Sequence, residues 1–272
     1  LSNLAISNEV RENKEYNLND YFYRSDQFAK DHKGMHLLFN GCSQTFGDGN
    51  ALEDTWSKIV YNYINDKIDC SGYFNIAFGG NNNFSIIKNT INYINEYGKP
   101  DIIVLNLTEC WRGYGLSPIN SKGGPGLPER NSKEFLHNEK FNYIQLEETA
   151  KNKIIMESMT MYCFDMIKLF TEYCKTNNIK LIMFSWAYYE PLKSFSLRDE
   201  LVVFGNSLLK NIQEYILITN QEVENYLLLN SVKNKNDNLF LIAKDKIHAG
   251  KGENLYWANK VLERIFDDYS WN

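Results

Sequence analysis

"MHLLFNGCSQTFGDG", residues Met35 to Gly49, sets an unbroken apolar run against a glycine-containing turn. The run from Met35 to Asn40 is short and continuous rather than alternating, as in a strand covered on both faces. Directly after it, Ser43 stands between Gly41 and Gly47. A strand that ends in such a turn holds one small side chain up at the rim of a sheet. If that side chain is the Ser43 hydroxyl, a base and a group to orient the base are expected at the same rim.

The rest of the chain repeats the theme. Strand-like runs recur at Gly72–Phe78, Asp101–Leu107, Ile179–Trp186 and Asn238–Ala243. Helical spacing occupies Asp54–Asp66, Asn83–Tyr97, about Asn152–Thr176 and Gly252–Phe266. Five short apolar strands separated by helices predict an α/β chain with a parallel sheet covered on both faces, a three-layer α/β/α sandwich. Residues 1–34 are polar and weakly periodic, and are expected as an N-terminal extension packed outside a single domain spanning 35–272. A Gly/Pro-rich insertion at about 113–149 leaves the carboxyl end of the third strand, where open α/β sheets bind ligands.

Composition narrows the function classes. The 272 residues are 43% apolar and 23% charged, with a net charge of −5, so no global field favours nucleic acid. No apolar run approaches the ~20 residues of a membrane span, and no signal peptide opens the chain. A chain starting at Leu1 says little about secretion, and the expected location is cytoplasmic or virion-associated. Cys42, Cys70, Cys110, Cys163 and Cys174 include no C-x-x-C pair, which argues against a disulfide framework and a structural zinc site.

With four histidines the search for a base is short. His32 and His36 flank the start of the first strand, opposite Ser43, and His137 lies in the insertion. His248 follows the last predicted strand in "KDKIHAGKG", with Asp245 three residues before it. In a turn, Asp245 would accept the Nδ1 proton of His248 and leave Nε2 as a base toward Ser43. A surface Asp and His in a polar loop is the plainer alternative. At the end of the second predicted strand, "NIAFGGNNNFSI" brings Gly79, Gly80 and an Asn run to the start of a helix. Backbone N–H groups there would suit a developing oxyanion, or simply a tight turn with an Asn cap. Cys42 as nucleophile is disfavoured because the residue before the serine should point away from the rim. "GKG" at Gly250–Gly252 lacks the remainder of a phosphate loop.

"GCSQTFG", "NIAFGGNNN" and "DKIHAGKGENLYWANKV" together resemble, in order and spacing, the SGNH (GDSL-like) hydrolases, in particular the divergent group found in tailed-phage proteins. The resemblance spans about Met35 to Phe266 and implies a flavodoxin-like sandwich with a five-stranded parallel sheet. It implies Ser43 as nucleophile, Asp245 and His248 as its partners, and the N–H groups of Ser43 and Gly80 as oxyanion donors, with no metal or organic cofactor. The third block departs from the family's G-x-N-D. It reads "TECW", so Cys110 takes the place of the oxyanion asparagine, and a thiol is a poor donor. Either another group fills that role, with Asn82 or Asn83 nearest and Arg112 less favoured, or the enzyme is slow or a pseudo-enzyme.

These residues predict a serine esterase with a covalent acyl-enzyme. Trp111, Tyr114, Trp186, Tyr188 and Tyr189 follow the third and fourth strands, and flat aromatic faces there suit sugar rings. The family includes many carbohydrate O-deacetylases, so a carbohydrate O-acetyl esterase acting on an ester-bearing small molecule or glycan is the leading expectation. The alternatives are a non-catalytic glycan-binding or structural module of a larger viral or surface assembly, and acyl transfer to a sugar.

Overall fold

Leu37–Asn40 forms β1, a strand with all four residues buried, inside the sheet next to one edge strand. The computed structural model describes residues 16–112, 153–187, 197–231 and 239–267. β2 (Phe74–Asn75), β3 (Ile102–Leu107), β4 (Lys180–Ser185) and β5 (Tyr215–Ile216) complete a five-stranded sheet in the order β2-β1-β3-β4-β5, every pair parallel. Leaving β1 the chain builds one edge, then returns past β1 to build the other. That reversal puts the topological switch point between β1 and β3, whose carboxyl ends open a crevice.

The helices among the described residues are α1 (Ser43–Phe46), α2 (Trp56–Asn65), α3 (Asn83–Tyr97), α4 (Lys153–Thr176), α5 (Leu197–Leu209), α6 (Asn220–Ser231) and α7 (Lys251–Asp267). β3 shows why they lie on both faces. Ile103, Leu105 and Leu107 pack with Ile86, Tyr93 and Ile94 of α3 and Ile167 and Phe170 of α4. Ile102 and Val104 point the other way, toward Trp56 and Val60 of α2 and Trp257 and Val261 of α7. Each such side chain, fully buried, contributes roughly 1.5–3 kcal/mol. The observed architecture is the three-layer α/β/α sandwich expected. None of these helices is long and apolar enough to cross a membrane.

Two expectations are corrected. Asn238–Ala243 is not the fifth strand: within its described part only an isolated antiparallel bridge, Ile242 to Ala249, forms, and Leu241 and Ile242 stay 56% and 43% exposed. The sheet is completed instead by Tyr215–Ile216, an edge strand of two residues, too short to show periodicity. Nor do residues 16–34 merely cover the outside. Tyr23 and Arg24 are 0% and 3% exposed, and the Arg24 guanidinium donates to the carbonyls of Gly47 (2.9 Å) and Asn50 (3.0 Å).

At the amino end of the sheet, the buried His36 ring stacks on His32 at 3.5 Å between centroids, and its Nε2 lies 3.0 Å from the Tyr93 hydroxyl. Burial, reinforced by His32, lowers its pKa to about 3. An imidazole held neutral in the fold but protonated in the unfolded chain below ~6.5 contributes fully above that pH. The contribution drains away as pH falls toward the folded value. Urea unfolding should therefore show His36 removing up to about 1.4 kcal/mol per pH unit below 6.5. The difference in slope between wild type and His36→Gln measures it, and equal slopes would contradict it.

Candidate active site

The turn after β1 is tight because Gly41 has no side chain. A Cβ there would meet Thr45 Oγ1 at 2.2 Å and the Asn106 carbonyl oxygen of β3 at 2.9 Å. The chain therefore passes from strand to the one-turn helix α1 within two residues, and half-buried Ser43 is its first residue. Cys42 is fully buried, and burial pushes its thiol pKa up. A protonated, enclosed thiol is a poor nucleophile, whereas the neighbouring Ser43 is only half-buried.

The loop before α7 carries Asp245 and His248. Asp245 Oδ1 accepts the backbone N–H groups of Ile247 (3.0 Å) and His248 (3.1 Å), while Oδ2 lies 2.5 Å from His248 Nδ1. Burial alone would raise the Asp245 pKa. The two N–H groups and the His248 ring outweigh it and hold the carboxyl below its ordinary value. With Nδ1 donating to this carboxylate, Nε2 carries the imidazole lone pair.

This loop is fastened to the Ser43 turn. Lys244 N–H donates to the Gly49 carbonyl (3.0 Å), Asn50 Nδ2 to the Ala249 carbonyl (3.0 Å), and Ala249 N–H to Gln44 Oε1 (3.3 Å). Gly49, at φ +78°, comes so close that an added Cβ would sit 2.6 Å from Asp245 Cγ. Ser43 and the Asp245–His248 pair thus belong to two segments bonded to each other. Gln44, Asn50 and Arg24, which brace this joint, carried no sequence signal, since their partners lie about 20 to 200 residues away.

Gly80 lies in a turn closed by Asn81 N–H on the Phe78 carbonyl (3.2 Å). Its φ is +88°, and an added Cβ would meet nothing within 4 Å, so this backbone borders open space. Asn81 donates to the Gly41 carbonyl (3.1 Å), which ties this turn to the Ser43 turn. Asn82 caps α3, accepting Ser85 N–H at 2.8 Å. The expectation for Asn83 is corrected. Its Oδ1 accepts Thr108 N–H (2.8 Å) and its Nδ2 donates to the Thr108 carbonyl (2.8 Å) and Cys163 Sγ (3.4 Å). Both amide protons are engaged in the core, leaving none for an oxyanion. Cys110 does not occupy a donor position either: it is buried, its thiol hydrogen-bonds with Cys163, and that contact and burial raise its pKa well above normal.

Of the aromatic residues expected to form a platform, Trp111 and Trp186 are among the described residues. Trp111 is 3% exposed and packs with Met156 and Leu201, so it is core rather than an open face. Trp186 is half-buried at the end of β4, its backbone N–H donating to Asn106 Oδ1 at 3.1 Å. Tyr114, Tyr188 and Tyr189 lie outside the described residues, as does His137.

No protein-family profile and no curated protein matches the chain. Among solved structures it is similar to a psychrotrophic esterase from Pseudoalteromonas sp. (11% identity, TM-score 0.46, covering 85% of this chain and 96% of that one). It is also similar to a member of the lipolytic protein G-D-S-L family from Veillonella parvula (14%, 0.47, 86% and 100%). A third is an acetylxylan esterase from Geobacillus stearothermophilus (16%, 0.45, 89% and 98%). At such values the likeness assigns neither a residue nor a reaction to this chain.

The Asn83 contacts generate a stability test. Asn83→Ala leaves the buried N–H and carbonyl of Thr108 without their side-chain partner and should cost about 2–5 kcal/mol. A chemical-denaturation midpoint unchanged from wild type would refute the bracing role.

Proposed function

We propose that the protein is a serine esterase of the SGNH type, and that its substrates are O-acetyl esters of carbohydrates. The observation that supports this most is the 2.5 Å contact of Asp245 Oδ2 with His248 Nδ1, in a loop hydrogen-bonded to the turn that carries Ser43. In the proposed reaction His248 Nε2 takes the Ser43 proton as Oγ attacks the ester carbonyl. The resulting imidazolium is stabilised by Asp245 and returns the proton to the leaving alcohol. Water then repeats the sequence on the acyl-enzyme, with the same histidine as base.

The carbonyl oxygen becomes an anion in each half-reaction. The N–H groups of Ser43 and Gly80 are the proposed donors, with the Asn82 amide beside them; Asn83 is not among them. A preformed donor is worth ~10²–10³ in rate because it meets charge that exists only in the transition state. The glycan preference rests on Trp186 at the end of β4 and on the resemblance of the sequence blocks.

Hydrolysis of p-nitrophenyl acetate and acetate release from peracetylated sugars test the reading. Ser43→Ala and His248→Ala should each lower kcat at least ~10³-fold in folded protein, and the double variant should be little worse than either. Asp245→Asn should lose ~10²–10⁴ by leaving His248 in the wrong tautomer. Full activity in Ser43→Ala would end the proposal. Gly49→Ala should displace the Asp245 carboxylate and cost roughly 10²-fold in kcat. A kcat equal to wild type would show that the close approach of the two loops is unimportant to the reaction.

A further inference from the structure

Neither Cys110 nor Asn83 offers an N–H to the rim, yet one charged group is held there that the reaction above does not use. The chain leaves β3 at Leu107 and folds back, with Arg112 N–H donating to the Glu109 carbonyl at 3.0 Å. The return brings Arg112 Nη1 to Thr108 Oγ1 at 2.9 Å, and Thr108 Oγ1 donates to Glu109 Oε2 at 2.5 Å. Thr108 is itself pinned on both sides by Asn83. The guanidinium therefore sits on a rigid base at the carboxyl end of β3.

That end adjoins the Ser43 turn. β1 and β3 pair as far as Asn40 with Leu105, and the next residues still touch, since the Asn106 oxygen blocks any Cβ on Gly41. The ladder stops there because the chain turns at Gly41 into α1, while β3 runs on to Leu107. The charges of Arg112 and Glu109 are both felt at Cys42, the residue before Ser43.

The pair is also polarised. The Glu109 side chain is 3% exposed and that of Arg112 20%, with 3.7 Å between Oε2 and Nη1. The carboxylate is enclosed, and the guanidinium is the more exposed of the two. A buried carboxylate that merely balanced an arginine would be a costly way to add stability. A carboxylate that aims a guanidinium at an anion from beneath has a use for that cost.

We propose that Arg112 is a catalytic residue, its guanidinium donating an N–H to the substrate carbonyl oxygen as it becomes an oxyanion, with Thr108 and Glu109 as the positioning residues. This rests on Ser43 being the nucleophile. No proton leaves Arg112 in the step. The charge forming on oxygen as the carbonyl π bond opens meets a fixed cation, and the charge disperses again when the tetrahedral intermediate collapses.

The test compares p-nitrophenyl acetate hydrolysis by wild type, Ser43→Ala, Arg112→Ala and Arg112→Gln, each checked for folding by circular dichroism and thermal denaturation. The expected result for both Arg112 variants is kcat lower by ~10²–10³ with KM within about threefold, because the contact is made in the transition state. Added guanidinium at millimolar concentration should restore part of kcat in Arg112→Ala and none in Ser43→Ala. A folded Arg112→Ala with wild-type kcat overturns the inference, as does a loss confined to KM. If the alanine variant does not fold, the same limits apply to Arg112→Gln, whose amide can still reach Thr108. Inactive Ser43→Ala beside fully active Arg112 variants defeats this inference alone, whereas active Ser43→Ala defeats the esterase reading first.

Discussion

The bonded seam between the loop at Gln44–Asn50 and the loop at Lys244–Ala249 is the contact on which the site depends. It joins segments about 200 residues apart through backbone and amide groups of Gln44, Gly49, Asn50, Lys244 and Ala249. Each bond contributes a net of only about 0.5–1.5 kcal/mol, and together they tie the turn that carries Ser43 to the loop that carries His248. Arg24 braces the same seam from the N-terminal segment, its guanidinium stacked 4.5 Å from the Tyr16 ring. The polar extension is thus part of the site's support.

Behind the seam, buried asparagines take over where the sheet's ladder stops. Asn40 at the end of β1 bonds the Gly41 N–H, the Ile86 carbonyl and Thr90. Asn75 at the end of β2 bonds the Thr45 carbonyl and the Ala77 N–H. Asn106 in β3 accepts the Trp186 N–H, and Asn83 closes on Thr108. Backbone groups leaving a sheet edge inside a protein must find partners, and amides supply a donor and an acceptor from one side chain. The turns at this rim are thus satisfied from within the protein.

Charge is distributed with the same economy. The Asp245 carboxylate is held ionised by two N–H groups and an imidazole, while Glu109 is enclosed beside Arg112. At the far end of the sheet His36 is kept neutral by burial. Acidic and basic groups that touch the crevice therefore have partners within a few residues in sequence, and their orientation follows from local turns. The long-range contacts only bring those turns together.

Much of this was legible in the chain alone. Continuous apolar runs at β1, β3 and β4 announced a parallel sheet, since only strands covered on both faces can be apolar throughout. Asp245 and His248 are three residues apart, and such a spacing meets in a turn whatever surrounds it. The glycines on either side of Ser43 marked a turn there, though not what the turn packs against. Only the tertiary structure decided the remainder. Asn83 and Cys110 lie in polar-looking blocks yet turn into the core, because the direction of a side chain after a strand depends on how the chain folds back. Trp111 is buried for the same reason, by Met156 and Leu201 from distant helices. Tyr215–Ile216 pairs as β5 while the apolar Leu241 and Ile242 stay outside, since two residues can complete an edge when a neighbouring strand supplies the partners. Periodicity and spacing encode what neighbours in sequence do to each other. Which rim groups face a substrate is set by contacts between segments that no local pattern records.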